Sequence, residues 1–176
     1  MLVWFISDMH FDHESIIKYT KRKYKNVHEM NEAFVKKWNS LVKEDDLVYH
    51  VGDFSFGGNK NALMWEKRLN GRIVHIQGNH DKNNGVKTYL VKGIMHFGNK
   101  SIYVIHRPPH TVGEIPYGCD FVISGHVHHL YKHKYVGDIP VINVSADVWN
   151  YAPVKATEIL KYYEKIKKVK KNGKRK

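Results

Sequence analysis

A chain of 176 residues with 42% hydrophobic and 12% aromatic content is the size of one domain with a core, which excludes a disordered chain and leaves no room for two full enzyme domains. The first apolar run, residues 2–6, breaks at Asp8, far short of the roughly 20 residues of a membrane span and short for a signal peptide, so no membrane partner is expected. The net charge is +12, but residues 165–176 carry eight Lys or Arg and no acid, leaving +4 for residues 1–164. The expected organisation is one domain over 1–164 and a Lys-rich C-terminal tail over 165–176, either solvated or touching nucleic acid or another anionic surface. Cys119 stands alone and cannot close an internal disulfide, which predicts a cytoplasmic location and leaves any metal to nitrogen and oxygen ligands.

Residues 2–6 read as a buried first strand, placing Asp8 just past its end. Between 27 and 42 the apolar residues Met30, Phe34, Trp38 and Leu41 recur at helical spacing behind Asn26, a candidate N-cap. Residues 47–51 form the next strand, halted by Gly52-Asp53. Helical spacing returns over 61–69 through Leu63, Trp65 and Leu69, and 72–76 is a third strand. This order predicts crossover units on a largely parallel sheet. In the second half, 94–97 and 102–105 flank Gly98-Asn99, 121–124 is a short apolar run before Gly125, and 134–136 and 141–144 flank Gly137-Asp138, so two hairpins and a mixed sheet are expected. Ile159, Tyr163, Ile166 and Lys170 mark one stripe of a last helix that begins after Pro153 and frays at Asn172-Gly173.

Five segments carry chemistry: Asp8-Met9-His10, Gly52-Asp53, Gly78-Asn79-His80-Asp81, Ile105-His106 and Gly125-His126-Val127-His128. Each follows a predicted strand, and in α/β proteins ligands bind beyond the carboxyl ends of strands, so the five can converge on one crevice. Asp8/His10 and His126/His128 are each separated by one residue; extended backbone would point both members of a pair to the same side. Imidazole and carboxylate donors without thiolate suit Mn, Fe, Zn, Co or Ni and argue against a structural zinc knot. Glycines at 52, 78 and 125 permit the sharp turns that bring the ligands in.

In order and spacing these motifs resemble the calcineurin-like metallophosphoesterase superfamily, from Asp8 to His128. Phe11-Asp12-His13 and residues 30–39 further resemble a small, cap-less branch of microbial and phage phosphoesterases. The resemblance implies an α/β fold of two mixed β-sheets packed face to face and flanked by helices, a four-layer α-β-β-α sandwich. It also implies two divalent metal ions, Mn first and Fe, Zn, Ni or Co as alternatives. Asp8, His10, Asp53 and His128 would hold one; Asp53, Asn79, His106 and His126 would hold the other, with Asp53 bridging. The implied reaction is phosphate-ester hydrolysis, in which a metal-bridging hydroxide attacks phosphorus in line. His80 is the expected general acid, with Asp81 orienting it. The fourth motif departs from the family's usual glycine, with Ile105 before His106.

Among the remaining residues, His13 and Arg107 are candidate substrate contacts, Arg107 because a guanidinium can clamp phosphate bidentately. His28, His50, His75, His96, His129 and His133 are expected to be structural, and the helical spacing of Trp38 and Trp65 favours core packing. Only 24 residues separate Asp53 from Gly78, too few for a cap enclosing a small metabolite, which favours a phosphodiester over a monoester, with a nucleotide among the candidate substrates. Two alternatives stand beside this reading: a nuclease that holds DNA or RNA through the basic tail, and a non-catalytic binding scaffold on the same fold.

Overall fold

The computed structural model describes the backbone of residues 1–173 and the side chains of residues 1–170. Its strands are β1 (Val3–Ile6), β2 (Leu47–Val51), β3 (Arg72–Ile76), β4 (Lys92–Phe97), β5 (Lys100–Ile105), β6 (Phe121–Ser124), β7 (His133–Val136), β8 (Ile139–Asn143) and β9 (Val154–Lys155). The helices are α1 (Glu14–Tyr19), α2 (Val27–Leu41), α3 (Asn59–Glu66) and α4 (Ala156–Gly173).

Side-chain alternation in the central strands sets the layering. In β1, Trp4 and Ile6 join the aromatic side chains of α2 and α3 in one core, while Phe5 turns the opposite way into a second core with Ile102, Val104, Phe121 and Ile123. Two mixed sheets result, packed face to face. The first has the order β3-β2-β1-β9, with β1, β2 and β3 parallel and β9 antiparallel; the second has the order β4-β5-β6-β8-β7, with β5, β6 and β8 parallel between antiparallel edge strands. Both predicted hairpins are present, with Gly98 and Gly137 in the left-handed region. Helices α2 and α3 cover the first sheet. Helix α4 puts Ile159, Tyr163 and Ile166 into the core shared by the two sheets, and the far face of the second sheet is covered by Ile115 and Cys119 from the connection after β5.

Helix α2 starts where expected, with the Asn26 side chain accepting from the Glu29 amide at 2.9 Å, a cap of about 1 kcal/mol. Three expectations shift. Leu41 is 43% exposed and Val42 takes the buried position. Leu63 is 50% exposed because the register of α3 is set by Trp65, which stacks on Phe11 at 4.7 Å and donates its indole N–H to Asp12 at 2.7 Å. The boundary expected at 164/165 falls inside α4, which runs on to Gly173 with Ile166 buried. Of the predicted tail, residues 174–176 lie outside the described residues. No helix among the described residues is long and apolar enough to cross a membrane.

Candidate metal centre

The carboxyl ends of β1, β2, β3, β5 and β6 meet where the two sheets join. Ser7 donates its amide to the Val144 carbonyl at 3.0 Å, joining the two sheets, while the amide bonds from Asp8 to the Gly52 carbonyl at 2.9 Å and from Gly125 to the His106 carbonyl at 2.9 Å stitch the first motif to the second and the fifth to the fourth. The predicted ligands fall into two groups, Asp8/His10/His128 and Asp53/His106/His126; within each group the donor atoms all lie within 4.8 Å of one another. Asp53 links them, since its Oδ2 is 3.7 Å from His10 Nε2 on one side and 3.3 Å from His106 Nε2 on the other. Asn79 Oδ1 lies 3.1 Å from His106 Nε2, which puts it with the second group. Donor atoms on a shell of about 2.1 Å radius stand roughly 3.0–3.5 Å apart, the scale of these separations. His10 Nε2 is also buried with no hydrogen-bond partner, a cost that a bound cation removes. The residues therefore fit a two-ion centre.

The backbone that achieves this is not the one expected. Asp8, His10, Asp53, His126 and His128 all have φ between +47° and +70°, the left-handed region, so the one-residue spacing of both pairs works through tight turns rather than extended chain. The two pairs also differ in outcome, since Asp8 and His10 serve one group whereas His126 and His128 are divided between the two. Each such non-glycine residue stores about 1 kcal/mol or more, and strain of this kind gathers where a site is over-determined by its surroundings. Gly52 takes φ +89°, while Gly78 is needed for room: a Cβ there would run into the Asp53 carboxylate and amide.

Asp81 corrects a role. It was expected to orient His80, but its buried carboxylate accepts from three backbone amides, Gly78 at 2.6 Å, Asp53 at 3.0 Å and Phe54 at 2.9 Å. It is a clamp that fastens the β2 end to the β3 end. His80 is half-buried and donates its backbone amide to Asp53 Oδ1 at 2.9 Å, and its ring centre lies 5.6 Å from that of His10.

Electrostatics differ between the two donor groups. Burial alone would depress His106, but the hydrogen bond and charge of Asp53, with Asp8 behind it, raise it to about 9. Burial alone would raise Asp53, yet the hydrogen bond and charge of His106, together with His10, hold its carboxyl well below the usual range. His10 is held far below its ordinary value, chiefly by burial, and His126 is lowered to about 4 by burial and then by the charge of His106 and Arg107.

Four residues that the sequence analysis did not single out support the site. Asp147 accepts at 2.9 Å from Nδ1 of His128, leaving Nε2 for a metal. Arg22, with no side-chain exposure, holds Asp147 through two hydrogen bonds at 2.9 Å and donates to the Asp8 carbonyl at 2.6 Å and the Met9 carbonyl at 2.9 Å. Lys82 joins Arg107, Asn79 and His106 around a cavity of about 450 Å³ on the second group's side. Phe56 lies flat against His13, ring centroids 3.9 Å apart. His13 is half-buried, its Nδ1 3.4 Å from that of His10, and Arg107 is exposed at the cavity, so both stand at the centre's rim; His110 is exposed and donates its backbone amide to Glu114 Oε1 at 3.2 Å. Asp147 follows the end of β8, and the strand-end rule that found the five motifs could have found it.

Comparison with known proteins agrees with this geometry. The family model described as the calcineurin-like phosphoesterase superfamily domain matches residues 1–146, and the chain belongs to that superfamily. It is 38% identical over 175 residues to the uncharacterized protein MJ1445 of Methanocaldococcus jannaschii, covering 95% of this chain and 94% of that one. It is 37% identical to the Gene 66 protein of Mycobacterium phage L5 over 81 residues, 44% of this chain and 39% of the phage protein. Among solved structures, the protein of unknown function AQ665 from Aquifex aeolicus superposes with a TM-score of 0.71 at 27% identity, covering 92% of this chain and 98% of that one.

Proposed function

We propose that the protein hydrolyses a phosphate ester, a diester in preference to a monoester, at two divalent metal ions, with Mn the first candidate. The observation that carries this reading is the pair of donor groups joined through Asp53, with the orphaned Nε2 of His10 directed among them. Asp8, His10, Asp53 and His128 would hold one ion, and Asp53, Asn79, His106 and His126 the other. When bound, such ions supply an activated water and neutralise phosphoryl oxygens. Asn79 is neutral and leaves its side of the centre electrophilic toward a phosphate oxygen. The His80 imidazole protonates the departing ester oxygen. Arg107 and Lys82, at the mouth of the cavity, attract the remaining phosphate charge. Residues 54–77 go into α3 and its flanks rather than a lid, which leaves the centre open to a diester with substituents on both sides.

Two of the α4 lysines are engaged within the fold, which weakens the support for a nuclease held by the basic tail. Lys167 donates to the Tyr163 hydroxyl at 3.0 Å, and Lys170 is tied to the Gly137 carbonyl and the Asp138 carboxylate.

The test is to strip the protein of metal, reload it with Mn, Ni, Zn or Mg, and assay mono- and bis-p-nitrophenyl phosphate with His80→Ala alongside. Activity is expected to vanish with chelator, return with Mn and favour the diester. His80→Ala should lose most on esters with poor leaving groups. Protein that binds two ions and cleaves neither ester would refute the enzymatic reading in favour of a scaffold.

A further inference from the structure

We infer that the centre takes a nucleotide, its phosphate on the metal ions and its base on an aromatic shelf formed by His13 and Phe56. This deepens the proposed function and rests on it for the phosphate anchor. The shelf is a group of rings flanking His10 and His80 and reaching outward to Tyr19. Phe56 sits 5.2 Å from His80, His13 stacks on Phe56 with planes 16° apart, and Tyr19, 73% exposed, meets His13 edge-on at 6.4 Å. Both rings of the shelf lie beside the candidate ligand His10, with ring centres 5.3 Å away for His13 and 6.0 Å for Phe56, so a base on their exposed side stays close to the donor groups that would anchor its phosphate.

Two features distinguish this row from ordinary packing. Its neighbours Phe11 and Phe54 are fully buried, whereas Phe56 and His13 are half-exposed and contribute to no core cluster. The loops that present them are nonetheless held. The Phe56 amide donates to the Phe11 carbonyl at 2.7 Å, and the Gly57 amide donates to Asn84 at 3.2 Å. On the other side Asp12 accepts from Asn31 at 2.8 Å, Asn61 at 3.0 Å and Trp65 at 2.7 Å, fixing the turn that carries His13. Exposed rings on a rigid support bind a planar partner with little ordering cost. A nucleobase offers a flat face to such a platform whatever its sequence identity.

Calorimetry of the Mn-loaded protein with AMP and with ribose 5-phosphate separates base from phosphate. AMP is expected to bind roughly tenfold more tightly than ribose 5-phosphate. Phe56→Leu should erase most of that difference while leaving ribose 5-phosphate affinity and the melting temperature near wild type, and Phe56→Tyr should keep it. Equal affinity of the two ligands for the wild type, or a Phe56→Leu variant that weakens both alike, would overturn the shelf. Affinity and ester hydrolysis are separate measurements, so the two readings can fail separately. A base preference without ester hydrolysis removes the enzyme and keeps the shelf; hydrolysis without a base preference does the reverse.

Discussion

Replacing Arg22 by Met, Asp147 by Leu, and both together tests whether the metal ligands are held in place by a buried ion pair. The Arg22 guanidinium has no exposure and Asp147 only 2%, and the pair makes two hydrogen bonds at 2.9 Å. Removing one partner of such a pair leaves a buried charge uncompensated, which costs about 3–5 kcal/mol, whereas removing both with apolar residues of similar volume costs much less. The double variant should therefore be no less stable than the worse single variant, giving a coupling energy of at least about 2 kcal/mol in urea unfolding with chelator present. A second readout isolates the metal. Asp147→Leu frees Nδ1 of His128, and loss of such a partner lowers metal affinity by about 10–100-fold. Calorimetric titration with Mn should show one of two binding events weakened and the other, at His106 and His126, unchanged. Single variants destabilised by less than 1 kcal/mol, or additive losses in the double variant, would refute the reasoning.

His50 is fully buried, with both ring nitrogens unpartnered, and burial, reinforced by the neighbouring His75, drives its pKa well below the ordinary value. Because the unfolded chain takes up a proton on His50 below about pH 6.5 and the folded one does not, its contribution to stability is complete above that pH and falls below it by about 1.4 kcal/mol per unit; urea unfolding of His50→Leu should show a correspondingly shallower acid slope between pH 6.5 and 5, and an unchanged slope sinks the assignment. Gly78→Ala forces a methyl group into the Asp53 carboxylate, so elemental analysis after Mn loading and dialysis should find fewer than two ions per chain; full retention would show that the approach is not needed. Asp81→Asn loses an anion that accepts three buried backbone amides and should cost about 2–4 kcal/mol in chelator while keeping the wild-type dependence on leaving group. A leaving-group dependence that instead matched His80→Ala would restore Asp81 as the orienter of His80.

The strand ends and the convergence of the candidate ligands were legible because each motif is short, local and placed by one rule: a strand of apolar residues stops and a polar donor follows. The bounds of β2, β3 and β6 coincide with the predicted segments, since in each the apolar run ends abruptly at a polar or glycine-containing turn. Helix α1 was missed because six residues are too few to show a helical stripe. The left-handed backbone at Asp8, His10, Asp53, His126 and His128 was also invisible, because aspartate and histidine carry no mark of φ in their identity. Asp81 was misjudged for a related reason: adjacency in sequence to His80 suggested contact with its ring, whereas the carboxylate turns back toward the amides of Gly52's neighbours, Asp53 and Phe54. Arg22 and Asp147 lie 125 positions apart, and nothing in either local sequence announces the other.

These hidden contacts share a purpose that the visible motifs do not explain. The centre gathers two carboxylates and several imidazoles into a small volume, five of them on left-handed backbone, and each of these features would favour opening the loops. Arg22 holds the Asp8 and Met9 carbonyls together with Asp147, and Asp81 holds the amides of Gly78, Asp53 and Phe54; both supports act on backbone, and neither takes a ligand's donor atom out of use. The donors are thus fixed in position while their metal-facing atoms, Nε2 of His10 above all, stay unsatisfied. A cation that binds this state and not the unfolded chain stabilises the fold in proportion to the logarithm of its excess over the dissociation constant. The strain at the ligands and the rigidity of their supports are therefore two sides of one arrangement, in which the core and the buried Arg22 network hold the site open so that metal binding need not reorganise it.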